Sequence, residues 1–460
     1  MGSLSSLMSI SAGALSAHAA ALEITGKNIT NANTPGYVRR QALLETRLLG
    51  RNQSGGVVFN GPMRMTDRFA VARVLGESGQ FGAAEGRLLG LFGLEATLAP
   101  AGEGGISGRM NAFFSSATAL GNNPNDPTAR SAFLARAEEM GQSFRTASQG
   151  LTQRRSDLHG QASDVAGEVS SRLAQVADLN EKIAQAQALD DGAPDLRDKR
   201  DLLVREIGDR MGVQAIEEDD GSLTLLSSGT SLVTKGHSST VTVGLDAQGG
   251  LAIGVKRGTG SVSDITSRVD MGTLGGIRQA RDIDVVALQT DLDQLAYDTA
   301  NAVNTTHAAG FGLDGVTGRN LFAPPAAVAG AASGFQVDPA MVGQPDRVAA
   351  SSSALELPGG NGNALALAAL ASQSLGGLGE PAARMGALAG KLGIFQTSAQ
   401  GSVELRSDTL AMAETSREQA SGVSIEEEMA DLTKFQRAFE ASMRVLKVAD
   451  ELYAGLVRDL

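Results

Sequence analysis

The chain has no cysteine and no tryptophan among its 460 residues. The missing cysteine excludes disulfides, thiolate metal sites and a cysteine nucleophile, and leaves the redox compartment open. Tyrosine occurs three times and aromatic residues make up 4% of the chain, which argues against a large aromatic-lined ligand pocket and so against a resident cofactor. Basic residues are outnumbered, 39 Lys and Arg against 51 Asp and Glu, for a formal net charge of −12. That balance argues against a general electrostatic grip on nucleic acid or anionic lipid, and the pair Arg39 and Arg40 is too small to change it. No Lys or Arg precedes Lys27, so Ala17-His18-Ala19, which imitates a cleavage site, lacks the charged segment of a signal peptide. The uncharged run from Met1 to Leu22 carries patterned apolar residues among serines. It predicts an amphipathic helix and no membrane insertion.

What is present is an apolar seam at each end. Met8, Leu15, Leu22 and Ile29 recur every seventh residue, interleaved with Ala12, Ala19 and Gly26. At the other end Ile425, Met429, Leu432, Phe439, Met443, Leu446 and Tyr453 follow the alternation of a coiled coil, and Phe435, Leu452 and Leu456 lie on a second stripe beside it. A heptad keeps one face of a helix toward a partner, so each end needs the other or a neighbouring subunit.

Between the ends, Asp126-Pro127-Thr128 opens a helix whose seam runs from Phe133 to Ile183. Those roughly 60 residues span about 90 Å. Near Gly208 the period changes to two, and short strands with turns at Asp219-Asp220-Gly221 and Gln248-Gly249-Gly250 predict a small β segment. Helical spacing returns at Leu274, residues 312–380 are rich in Gly, Ala, Ser and Pro, and a helix resumes at Pro381. Gly422 breaks it, and Ser424 with Glu427 forms a capping box for the last helix, with Glu426, Glu427 and Glu428 in its first turn.

No assembled chemistry stands out. Gly310 to Gly315 matches G-x-G-x-x-G but follows a helix, which predicts a turn and not a dinucleotide site. His18, His159, His237 and His307 lack metal-ligand spacing. Glu217 to Asp220 reads as a solvated hairpin tip, and each asparagine in Asn28 to Asn33 as a local cap. No catalytic, cofactor or metal residue is predicted.

The segment Asn28-Ile29-Thr30-Asn31-Ala32-Asn33-Thr34-Pro35-Gly36-Tyr37 resembles the N-terminal signature of the rod, hook and hook-associated axial proteins of the bacterial flagellum. Ser421 to Leu432 with Phe435 to Ser442 resembles their C-terminal signature. Asn122 to Arg130, Arg197 to Leu203 and Ala302 to Phe322 resemble the middle of the hook-associated members. The resemblance implies a mainly α fold with a β insert: terminal coiled-coil helices paired as an inner layer (1–50 with 405–460), a rod-like bundle of long helices (51–209 with 271–404) and a small all-β outer domain (210–270). It implies a structural, non-enzymatic subunit of the hook–filament junction, exported through the flagellar apparatus to the cell exterior. Expected partners are further copies of the chain, the hook protein, a second junction protein and an export chaperone on the C-terminal helix. The assembly surface would comprise Met8, Leu15, Leu22, Asn28, Ile29, Asn31, Pro35, Gly36 and Tyr37 with Ile425, Met429, Leu432, Phe435, Phe439, Met443, Leu446, Leu452, Tyr453 and Leu456. The alternatives are a hook or distal rod subunit, which the long central seam disfavours, and an exported effector or surface-binding protein.

Overall fold

The computed structural model describes residues 2–48, 54–98, 104–189 and 192–458. Helix α1 (Gly2–Asn31) leads into an antiparallel hairpin, β1 (Arg40–Leu48) and β2 (Ser54–Arg64). Four helices follow, α2 (Arg68–Leu91), α3 (Leu94–Leu98), α4 (Ile106–Asn122) and α5 (Pro127–Gln187), then α6 (Pro194–Met211). An antiparallel meander comes next: β3 (Gln214–Glu217), β4 (Leu223–Ser227), β5 (Thr230–Thr234), β6 (His237–Leu245), β7 (Leu251–Arg257) and β8 (Val262–Asp264). Helix α7 (Gly272–Gln279) passes through a π-helical turn, Ala280–Asp284, into α8 (Val285–Ala309). After a largely irregular stretch come α9 (Gly362–Ala369), α10 (Pro381–Ser421) and α11 (Ile425–Arg458). The chain is mainly helical with a small antiparallel sheet.

Helix α5 starts where its sequence says it must. The Asp126 carboxylate accepts the Thr128 N–H at 2.9 Å and Pro127 takes the first helical position, where its missing N–H costs nothing. Its 61 residues form a spine shared by two cores. Phe133, Met140, Phe144 and Leu151 pack with Phe113 of α4, Leu288 and Leu292 of α8, and Phe322 and Phe335 from the irregular stretch. Phe144 stacks on Phe335 with centroids 4.8 Å apart. Further along, Leu158, Val169, Leu173 and Val176 pack with Leu225, Leu232, Val241 and Ile253 of the meander and with Val204 and Ile207 of α6. The strands expected as a small all-β domain share their core with α5 and α6. Strands of three to nine residues offer one apolar face, and α5 covers it.

The irregular stretch is held by buried polar side chains, as a buried backbone demands. Asn304 donates to the Phe322 carbonyl and accepts from the Leu321 and Phe322 N–H groups. Asp293 accepts from Gly330 and Ala332. Arg130 donates to the carbonyls of Pro124 and Val348. His307 receives the Ala349 N–H on Nε2 at 3.0 Å and bonds the Arg319 carbonyl through Nδ1 at 2.7 Å. Gly310 to Gly315 is a helix end and a tight turn, with Gly315 at φ +73° and its N–H on the Gly312 carbonyl.

Candidate assembly site at the paired termini

Helix α1 packs against α11 and against both strands of the hairpin. The hairpin approaches closely at Gly56, where φ is +92° and a Cβ would sit 3.1 Å from Ile10; only glycine fits there without strain. Strands β1 and β2 pair as an antiparallel hairpin, Arg40 opposite Arg64 and Glu45 opposite Val58.

Three sequence-remote segments meet at the end of α1. Asn28 is 1% exposed. Its Nδ2 donates to the Arg40 carbonyl at 2.7 Å and to Glu428 Oε2 at 2.9 Å, across 400 residues of sequence. Its Oδ1 accepts from the Tyr37 hydroxyl at 2.9 Å and the Arg40 N–H at 3.1 Å. The reading of Asn28 as a local cap is therefore corrected: it joins the two ends of the chain. Asn31 does behave locally, donating to the Lys27 carbonyl and accepting from the Thr34 hydroxyl. Pro35 and Gly36 form the turn, with Gly36 at φ +81° facing Leu202 of α6.

Ion pairs extend the node. Arg39 donates to Glu428 through Nε and to Glu427 through Nη1, both at 2.7 Å, and its N–H reaches the Ser421 carbonyl. Arg40 reaches Asp195 at 2.6 Å and Asp198 at 2.8 Å, and Arg64 holds Asp198 and Asp201. Burial opposes the charges on Arg40 and Arg64, but hydrogen bonds and charge from these aspartates outweigh it and hold both pKa values above the ordinary one. Burial pushes the Tyr37 phenol up. Glu428, also buried, is tolerated because both its oxygens are bonded. Ser424 accepts the Glu427 N–H at 3.4 Å, but Glu427 turns to Arg39 instead of completing the capping box. The sequence signals were present as Arg39-Arg40, the glutamate run and Asp195 to Asp201; nothing local tied them together.

The seams divide unevenly. In α1 the fully buried residues are small or polar, Ser11, Ala17, Ala21, Thr25 and Asn28, with Ile24, while Met8, Leu15, Leu22 and Ile29 are half-buried. In α11 Leu432, Phe435, Phe439 and Leu446 are half-buried against the rest of the chain. Ile425, Met429, Met443, Leu452 and Tyr453 are exposed, each by between 44% and 54%. Leu456 belongs to α11, but its side chain lies outside the described residues. A groove of about 430 Å³ opens between the pair and the hairpin, lined by His18, Leu43, Met63, Lys434 and Phe435. Burial lowers the His18 pKa there. Among the described residues no group of three or more His, Asp or Glu is placed to hold a metal ion.

Residues 92–322, just over half of the chain, match the family described as flagellar hook-associated protein FlgK helical domain. The chain belongs to the flagellar hook-associated protein FlgK family. Residues 8–37 match the flagella basal body rod protein family, and residues 416–458 the C-terminal family of the flagellar basal body rod proteins FlgEFG; these two matches contain Asn28, Tyr37 and Glu428. Flagellar hook-associated protein 1 of Bacillus subtilis is 27% identical over 97% of this chain and 96% of its own length. Its namesake in Salmonella typhimurium is 29% identical over 69% of this chain and 59% of its own length, so the chain spans well under two thirds of that relative. The solved flagellar hook junction protein FlgK from Burkholderia pseudomallei is 25% identical, with a TM-score of 0.51 over 55% of this chain and 46% of that one. This chain is a structural protein and not an enzyme.

Proposed function

We propose that the chain forms the joint between flagellar hook and filament, its copies stacking through α1 and α11 into a short helical layer. The observation that carries this reading is the Asn28 node with the apolar surface left beside it. The node fixes α1, α11 and α6 relative to one another, while α11 keeps Ile425, Met429, Met443, Leu452 and Tyr453 in solvent. A helix apolar on two stripes has room for more than one neighbour. Contacts of one stripe on a different stripe of the next copy are heterologous and generate helical layers.

In this reading residues 1–50 with 405–460 are the inner, coiled-coil layer. Residues 51–209 with 271–404 form the rod-like body, and 210–270 the outer β segment. The terminal residues named above are the assembly surface. Hook protein lies on one side of the layer, a second junction protein on the other, and an export chaperone covers the C-terminal helix before secretion through the flagellar apparatus to the exterior. The test is electron microscopy of a strain lacking the chain. Hooks without filaments are expected; missing hooks or intact filaments would sink the proposal.

A further inference from the structure

A meander leaves two edge strands, here β3 and β8; β3 also lies against α2. Every neighbouring pair is antiparallel, and the strand number is even, so the two edge strands run opposite to each other. A second copy displaced sideways without being turned over therefore brings its β3 against β8 in antiparallel sense, and the ladder continues. Among the described residues no hydrogen bond ties the backbone of Gln214–Glu217, or of Val262 and Ser263, to anything outside the sheet.

The charges fit that register. Strand β3 ends at Glu217 and is followed by Glu218, Asp219 and Asp220. Arg197 pairs with Glu217 and Lys235 with Asp220, and among the described residues no cation pairs with Glu218 or Asp219. Strand β7 ends in the exposed Lys256 and Arg257, and Lys256 lies beside Val262 at the start of β8. Antiparallel pairing sets the end of β3 beside the start of β8, so the acidic tip of one copy meets the basic tip of the next. Ile216, 50% exposed, and Val262, 52% exposed, are the apolar residues of the two edges and fall together. Sheet edges are commonly guarded by charge against self-pairing. Here antiparallel β3 on β8 sets opposite signs together, whereas parallel pairing of β3 on β3 or of β8 on β8 would set like signs together.

We propose that in the assembled layer β8 of each copy pairs with β3 of the next, a head-to-tail lateral contact between identical chains. It rests on the junction-layer reading above. A strand as short as β8 holds no two free chains together; the contact forms because the terminal helices already hold neighbours side by side at high effective concentration.

The absence of cysteine gives a clean experiment: Ile216→Cys and Val262→Cys in one chain, expressed in place of the original, with isolated flagella oxidised and run on non-reducing gels. Within one chain four strands separate these positions, roughly 20 Å or more, beyond the reach of about 7 Å that a disulfide allows. The expected result is a ladder of dimers, trimers and higher forms from the double variant and monomer from each single variant. Lys256→Glu with Arg257→Glu weakens the ladder several-fold, and adding Glu218→Lys with Asp219→Lys restores it. Monomer alone from the double variant, with the chain seated at the junction and filaments attached, overturns the lateral contact and leaves the junction reading standing. Dimers from either single variant overturn the head-to-tail sense. An unsubstituted chain missing from the junction overturns the junction reading itself.

Discussion

Helices α5 and α11 carry apolar seams of similar residues at similar spacing, yet the two seams meet different surroundings. On α5 Phe133, Phe144, Leu151, Leu173 and Val176 are fully buried, because α4, α8, α6 and the meander each turn a large apolar face toward it. Helix α11 meets α1, whose buried face is largely alanine, serine and threonine. Small residues let the helices approach but cover little surface, so Met443, Val448 and Leu452 stay about half exposed. The difference lies in the partner more than in the seam. One region is finished within the chain, and in the proposed layer the other is finished by neighbouring copies.

The largest effect on the isolated chain is expected at the finished seam. Phe144→Ala removes a ring stacked on Phe335 and leaves a cavity between α5 and the irregular stretch. Such truncations cost about 3–5 kcal/mol. Chemical denaturation of the purified chain checks it; a loss under about 1 kcal/mol would show that α5 is not the spine.

Acid should loosen the same region next. Burial pushes the His307 pKa down from 6.5 to about 4, with Nδ1–H donating and Nε2 accepting. The unfolded chain then binds the extra proton first. Stability is full above about pH 6.5 and falls as the pH drops toward 4, by roughly 3 kcal/mol in all. His307→Gln should flatten that slope. An unchanged slope between pH 6.5 and 4 would mean that another group carries it.

At the boundary between the two regions, Asn28→Ala removes four hydrogen bonds and leaves Glu428 Oε2 without its donor. A cost of about 1–3 kcal/mol is expected, confined to the terminal pair. Hydrogen exchange should speed up in α1 and the first turns of α11 while α5 keeps its protection. Equal acceleration in α5 would show that the node supports the whole chain and not the termini alone.

Much of the fold was legible because its signals are local. Asp126-Pro127 starts α5, and Gly221 and Gly249 turn the hairpins at positive φ. What was not legible depends on distant partners. Periodicity showed that α5 has a seam, but not that the β segment would close half of it. Heptad spacing placed Met8 to Ile29 on one stripe, while the stripe that α1 buries is set by the closeness of α11 and β2. The composition of Asn28 to Asn33 fits caps and clamps equally well, and Glu428, which decides between them, lies 400 residues away.

The smallest effect on the single chain should accompany the largest effect on the assembly, and this sets the sharpest test of the comparison. Met443 and Leu452 are 51% and 54% exposed and lie in a helix end that contacts little else. Replacing both by serine removes apolar surface already wetted in the monomer, so its stability should change by no more than about 0.5 kcal/mol. Serine also keeps the helix, at a propensity cost of a few tenths of a kcal/mol per site. In a layer where the exposed halves of these side chains are buried against neighbouring copies, the same change forfeits about 0.8–1.5 kcal/mol per residue, repeated at every subunit. Secretion should stay normal, because in the proposed export route these side chains act only after secretion, while filament attachment fails or weakens. Secreted chain in the medium, melting of the purified protein and filament counts are the three measurements. Full filaments on cells secreting the double variant would show that this stripe faces solvent in the assembly too, and the contrast between α5 and α11 would lose its meaning.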